Sequence, residues 1–323
     1  MAETLPLFPE EPASSFQEEL RALVSRAAEK RVYFGTSSWK YEGWLGQIYS
    51  KERYTFRRRF SKAKFAEQCL SEYAETFPTV CGDFAFYQFP MQSFWRKLFD
   101  SSPEPLRFSF KVPEEITTPR FPSIERYGNQ RGAQNPNFLN AESLNELFLK
   151  ELDPYSSRIA VLIFEFGAMC GRLFSPTQFT ERLEKFLEKL PRHFRFAAEI
   201  RNPEFIADAD YAGVLRRHSV AHVLSAWTRM PASQEQIVHP ELFTTDFTVV
   251  RALLKNGRRY EDAVRAFTPY RSIQDSDPNT RGAIRDIVVR SMRRGEPAFI
   301  YVNNRLEGNA PMTIHGILEE LPE

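Results

Sequence analysis

The run Phe194-Arg-Phe-Ala-Ala-Glu199-Ile-Arg201 decides how the rest of the chain is read. Phe194 to Ala198 has the apolar character of a core strand, yet it leads straight into a carboxylate and a guanidinium where the strand should end. Side chains alternate along a strand, so Glu199 and Arg201 share one face while Ala198 and Ile200 share the other. Charges at the end of a core strand are costly to desolvate unless they are paired or used on a ligand. The same pattern recurs in Phe108-Ser-Phe-Lys111, Val249-Val-Arg251 and Phe299-Ile-Tyr-Val-Asn303-Asn304. Several strands therefore deliver polar groups to one place, as at the mouth of a barrel.

Outward from that stretch, strand patterns at 31–36, 79–86, 106–112, 158–164, 194–199, 220–225, 247–253 and 298–302 mostly alternate with helical ones. The helical patterns fall at 62–77, 92–100, 141–152, 175–190, 208–218, 279–294 and 309–321. Eight strands separated by helices favour a closed (β/α)8 TIM-like barrel over an open sheet. An additional helix is expected at 15–30, where Phe16, Leu20, Leu23, Val24 and Ala27 repeat at helical spacing. Residues 1–14, rich in proline and polar groups, read as a flexible tail ahead of one barrel domain spanning 15–323. Two connections are long: 113–140, and 254–278 with its arginines among Tyr260, Phe267 and Tyr270. Both follow strands, so both belong to the mouth, as lids or as disordered segments.

Composition narrows the function classes. With 42% hydrophobic and 26% charged residues and a net charge of +1, the chain reads as an ordinary soluble protein with no global pull toward nucleic acid or membrane. No secretory pattern opens the sequence, and no stretch of about 18 apolar residues offers a membrane span. Three cysteines, Cys69, Cys81 and Cys170, are odd in number and widely spaced, which fits free thiols and a cytoplasmic setting. The five histidines lack the spacing of a metal site, and no glycine-rich nucleotide loop is present, so neither metal nor cofactor is expected.

The ordered motifs resemble the DUF72 (YecE-like) family. They are Gly35-Thr-Ser-Ser-Trp39-Lys-Tyr41-Glu-Gly43-Trp44, Phe84-Ala-Phe86-Tyr87-Gln-Phe-Pro90, Phe108-Ser-Phe-Lys111-Val-Pro113, Ala198-Glu199-Ile-Arg201, and Tyr301-Val-Asn303-Asn304 with Gly308-Asn-Ala310. The resemblance covers about residues 31–320 and implies a TIM-like barrel of unassigned activity. Three places depart from the family pattern. Val80-Cys81-Gly82-Asp83 stands where relatives carry Val-Glu-x-Asn, Ile116-Thr117-Thr118 stands for Ile-Thr-His, and Glu165-Phe166-Gly167 for Gln-x-Pro. On that comparison Glu199 is left as the one well-placed acid.

The residues suggest a metal-independent enzyme of hydrolase or lyase type acting on a small anionic or phosphorylated ligand. Glu199 would transfer a proton, and Lys111 would act as an anion contact or a nucleophilic amine. Arg201 and Arg251 would hold the anion, with Trp39 and Tyr87 as aromatic walls and Asn303 and Asn304 as polar contacts ahead of a helix start near Gly308. The plainer reading of Glu199 and Arg201 is an ion-pair network that stabilises the barrel top. Two alternatives from other classes are a non-catalytic binding barrel and a nucleic-acid-binding protein. The latter would use the basic cluster from Arg53 through Arg57, Arg58 and Arg59 to Lys64.

Overall fold

The computed structural model describes residues 15–208 and 210–321; the tail expected at 1–14 lies outside them. Eight parallel strands close into a barrel: β1 (Val32–Thr36), β2 (Thr79–Gly82), β3 (Arg107–Lys111), β4 (Ile159–Phe166), β5 (Phe196–Ile200), β6 (Val220–Ala226), β7 (Thr248–Ala252) and β8 (Ala298–Val302). Each pairs with its neighbours in sequence, and β1 closes the ring by pairing in parallel with both β8 and β2. Helices between the strands cover the outside, which makes this the expected TIM-like architecture.

Alternation along the strands sorts the core into two parts. Cys81, Val161, Ile163, Ala197, Ala221, Val223, Val249, Phe299 and Tyr301 pack together as the interior of the barrel. Their strand neighbours Val80, Leu162, Phe164, Phe196, Ala198 and Ile300 face out and pack under the helices. Two residues further along each interior row lie the polar groups of the mouth. Beneath them the buried Tyr301 hydroxyl contacts Ser109 Oγ at 2.6 Å and Thr79 Oγ1 at 3.0 Å, so the interior turns from apolar to polar one layer below the charges.

The extra helix is Phe16–Glu29. It opens with a capping box in which Ser15 Oγ accepts from the Glu18 amide and Glu18 Oε2 accepts from the Ser15 amide at 2.8 Å. Leu20, Val24 and Ala27 are its buried stripe, set against β1 and the last helix, Ala310–Glu319. The helix expected at 141–152 is one continuous run with a wide turn at Asn145–Leu149. That expected at 208–218 is shorter, Tyr211–Arg217, preceded by a separate turn at Pro203–Ile206.

Three expectations need correction. The second strand stops at Gly82, because the chain turns through Asp83 to Phe86, where the Phe86 amide bonds back to the Asp83 carbonyl at 3.0 Å. Neither long connection is unstructured. Residues 113–140 hold a helical turn at Glu114–Thr117, and Asn135 Nδ2 donates to the Glu115 and Thr118 carbonyls at 2.6 Å each. The 254–278 connection contains the helix Tyr260–Phe267, and Leu253, Leu254, Ala263 and Phe267 form a small core of their own with Trp227 and Tyr270 against it. Buried apolar contacts and satisfied carbonyls are what fix these segments.

Candidate functional site at the barrel mouth

Three cations and three carboxylates meet where the strands end. Lys111 comes from β3, Glu165 from β4, Glu199 from β5 and Arg251 from β7, all on the interior face; Asp83 and Arg201 follow β2 and β5 on the same parity. Arg201 reaches Glu199 at 2.7 Å and Glu165 at 3.0 Å. Arg251 reaches Glu165 at 2.9 Å and also bonds Glu199. Lys111 lies 3.4 Å from Glu165 and 3.6 Å from Asp83, and Arg251 is 3.8 Å from Asp83. Ser225 Oγ donates to Glu199 at 3.2 Å.

The innermost of these charges cannot be solvated by bulk water. Glu199 is 0% exposed and Arg251 2%, so each depends on its partners for stabilisation. Burial alone would raise the Glu165 carboxyl, but Arg201, Lys111 and Arg251 outweigh it and hold the group well below the usual carboxylate range. Burial would likewise lower Arg251, yet Glu199, Cys81, Glu165 and Asp83 keep it more firmly protonated than a free arginine. Burial pushes the Cys81 thiol up to about 12, which leaves it unreactive beside the network. Glu114, just after β3, goes the other way: burial raises it, against the pull of Tyr127, Arg126 and Lys111.

Two pockets flank the network. One, of about 510 Å³, is walled by Glu165, Arg201, Trp227, Arg229, Arg259 and Tyr260. In it the Arg201 guanidinium lies over the Trp227 ring, 3.7 Å from its centre, and its Nε has no hydrogen-bond partner. The other, of about 470 Å³, lies between the ends of β1, β2 and β8, where Trp39, Asp83, Phe84, Asn303 and Arg305 face it. Arg305 of this second pocket stacks on Tyr260 of the first, 4.5 Å from the ring centre. Tyr270 from the same long connection meets Tyr41 edge-on at 5.5 Å.

Residues 33–323 match the family described as "Protein of unknown function DUF72". The chain belongs to the DUF72 family. It is 23% identical over 186 residues to the UPF0759 protein YecE of Escherichia coli K12, a stretch covering 58% of this chain and 54% of the relative. It thus spans about half the length of the curated relatives it matches. A crystal structure of a DUF72 family protein from Thermotoga maritima has the same fold, with a TM-score of 0.58 at 20% identity over 90% of this chain and 99% of that one. A DUF72 family protein from Enterococcus faecalis gives a TM-score of 0.58 at 15% identity over 90% and 97%.

Within this DUF72 barrel, Lys111, Glu199, Arg201 and Arg251 come together as expected, in the very ion-pair network that was the plainer reading. Glu199 is not the one acid present: Glu165 and Asp83 join it. Lys111 is caged, its ammonium 3.6 Å from the centre of the Phe86 ring and close to two carboxylates. Trp39 does line a pocket but is 94% buried, with Phe84 set perpendicular to it at 5.9 Å and the Lys40 ammonium over its ring at 5.7 Å.

Tyr87 lies outside both pockets. It is 52% exposed, with the Arg126 guanidinium over its ring at 4.2 Å, while its neighbour Phe86 packs against Lys111. Asn303 faces the second pocket and caps the turn Asn304–Glu307 by accepting from the Arg305 amide at 3.0 Å. Asn304 is a buried brace: its side chain accepts from Trp44 Nε1 at 3.2 Å and from the Ala310 amide at 2.8 Å. The helix start after Gly308 is therefore no free anion cradle, since Asn304 and Asn309 already take its amides.

The basic cluster folds as a hairpin, Thr55–Phe56 with Arg59–Phe60, turning through Arg57 and Arg58. Arg53 there is engaged by Glu75 at 3.3 Å. Among the described residues one group has metal-ligand proximity, Glu184, Glu188 and His218. It lies at the opposite end of the barrel, where Arg217 already holds Glu184 at 2.7 Å. No described helix is long and apolar enough to cross a membrane.

Proposed function

We propose that this DUF72 protein binds a small anionic ligand, carrying a carboxylate or phosphate, in the pocket over Arg201 and acts on it as an enzyme of hydrolase or lyase type. The carrying observation is Arg201 itself. Its flat guanidinium rests on Trp227 beside the pocket and bonds Glu165 and Glu199 through one nitrogen, while its buried Nε has no hydrogen-bond partner. A guanidinium held this way favours planar, two-point recognition of an anion. Arg229 and Arg259 add two exposed cations that have no ion-pair partner among the described residues, so three arginines face two carboxylates around the cavity.

The proton-handling role passes from Glu199 to Glu165. Glu199 is sealed behind the network, whereas Glu165 is 17% exposed and lines the pocket. Its lowered pKa keeps it ionised and makes it a weak base in the empty site. An anion that draws on Arg201 removes part of the field that depresses Glu165, so binding itself would raise its basicity. Lys111 serves as a fixed charge rather than a nucleophile, since its ammonium is held between Glu165, Asp83 and the Phe86 ring.

The test is calorimetric titration of small carboxylates and phosphate esters. Binding should weaken about tenfold or more in Arg229→Ala and Arg259→Ala with unchanged melting temperatures, since both side chains are exposed. If no anion binds, or if affinity survives both substitutions, the placement is wrong. Steep salt dependence with long nucleic acids in preference to small anions would instead favour a nucleic-acid groove.

A further inference from the structure

We infer that the 470 Å³ pocket at the ends of β1, β2 and β8 is a separate binding site for an uncharged hydroxylated ring, a pentose or hexose unit. Ser37 Oγ, Trp39 Nε1, Asp83 Oδ1 and Arg305 Nε all belong to residues that line this pocket, and all four atoms are buried without a hydrogen-bond partner. Ser37 is 97% buried and Trp39 94%. Such groups are costly to leave unpaired, and their convergence from three strand ends on one cavity marks it as built for a polar occupant.

Their chemistry selects the occupant. Ser37, Trp39 and Arg305 offer donors, and Asp83 offers a carboxylate. Asp83 Oδ1 is turned toward Lys111 and Arg251, yet the side chain as a whole is 41% exposed, so its remaining oxygen faces outward to accept. A phosphate or carboxylate would meet that carboxylate, and an amine would meet Lys40 and Arg305. A purely apolar ligand would strand the Ser37, Trp39 and Arg305 groups. A ring hydroxyl both accepts from the donors and donates to Asp83. The apolar wall of Phe84, Phe94 and Leu98 gives the C–H face of such a ring a surface to pack on. The volume lies within the usual range for small-molecule sites.

This site shares no lining residue with the anion pocket, so the two readings can fail separately. The probes are uncharged methyl glycosides of ribose, glucose and galactose, followed by saturation-transfer NMR on the full chain. At least one should bind in the millimolar range or tighter. Ser37→Ala and Arg305→Lys, the latter keeping the charge but not Nε, should each weaken it about five- to tenfold, as expected for one hydrogen bond. Arg229→Ala should leave it unchanged. Absence of binding by all three glycosides overturns the inference. So does affinity that survives Ser37→Ala and Arg305→Lys in folded protein, or that falls only with Arg229→Ala.

Discussion

Glu165 and Glu199 are register partners on adjacent strands, and a single nitrogen of Arg201 bonds both, at 3.0 and 2.7 Å. Two carboxylates side by side in a desolvated interior repel, so their placement is tolerable only while Arg201 and Arg251 stand between them. The mouth is therefore a balanced set in which each member depends on the others.

Removing one member should cost more than removing a matched pair. Arg251→Met is expected to destabilise the fold by about 3–5 kcal/mol, because Glu199 is left buried and uncompensated. The double variant Arg251→Met with Glu199→Gln should recover much of that loss. Urea denaturation of the four proteins in the cycle measures it, and a single variant as stable as the parent would show that the pairing contributes little.

Acid should loosen the mouth. Glu165 is depressed in the folded state, so its contribution is fully present above the ordinary carboxylate value of about 4.3 and is lost as pH falls below it toward the folded value. Glu165→Gln should flatten this acid limb. Denaturation midpoints between neutrality and acid pH report the difference in slope, and identical slopes would mean that Glu165 is not held by its neighbours.

A second pH effect comes from behind the barrel wall. Burial lowers His222 to about 4, and Tyr211 Oη lies 3.0 Å from its Nδ1. The unfolded chain takes up this proton near 6.5 while the folded one resists it until about 4. Stability is thus intact above 6.5 and falls by roughly 3 kcal/mol across that window as pH drops. His222→Asn should remove this component, as seen by comparing urea midpoints at several pH values from 7.5 to 4.5.

Gly308 is fixed by backbone geometry. Its φ is +116°, and a Cβ there would sit 2.6 Å from the Ser272 carbonyl oxygen. Gly308→Ala should cost about 1–3 kcal/mol in thermal or chemical unfolding. A neutral result would show that the turn after Asn304–Glu307 can move away from the 254–278 connection.

Strand parity made the inward set legible: once Glu199 and Arg201 share a face, Lys111 and Arg251 follow from the same rule on β3 and β7. Glu165 escaped because the apolar run suggested an end at Phe164, while pairing with β5 carries β4 on to Phe166 and so brings Glu165 inside. Val80-Cys81-Gly82-Asp83 looked like the loss of a family carboxylate, but Asp83, just past the strand end at Gly82, brings one to the same mouth. Tyr87 and Asn304 depended on loop packing and tertiary bonds that no local pattern encodes. For the same reason the unpaired Ser37, Trp39 and Arg305 atoms could not be read from spacing.

The contact between Arg305 and Tyr260 has a thermodynamic meaning. One side chain belongs to the wall of each pocket, so an occupant that displaces Arg305 also reshapes the cavity over Arg201. Linkage then requires reciprocity: if one ligand changes the dissociation constant of the other, it is itself tightened or loosened by the same factor. Titrating either ligand with the other at saturation reads that factor directly, and Tyr260→Ala should bring it to unity.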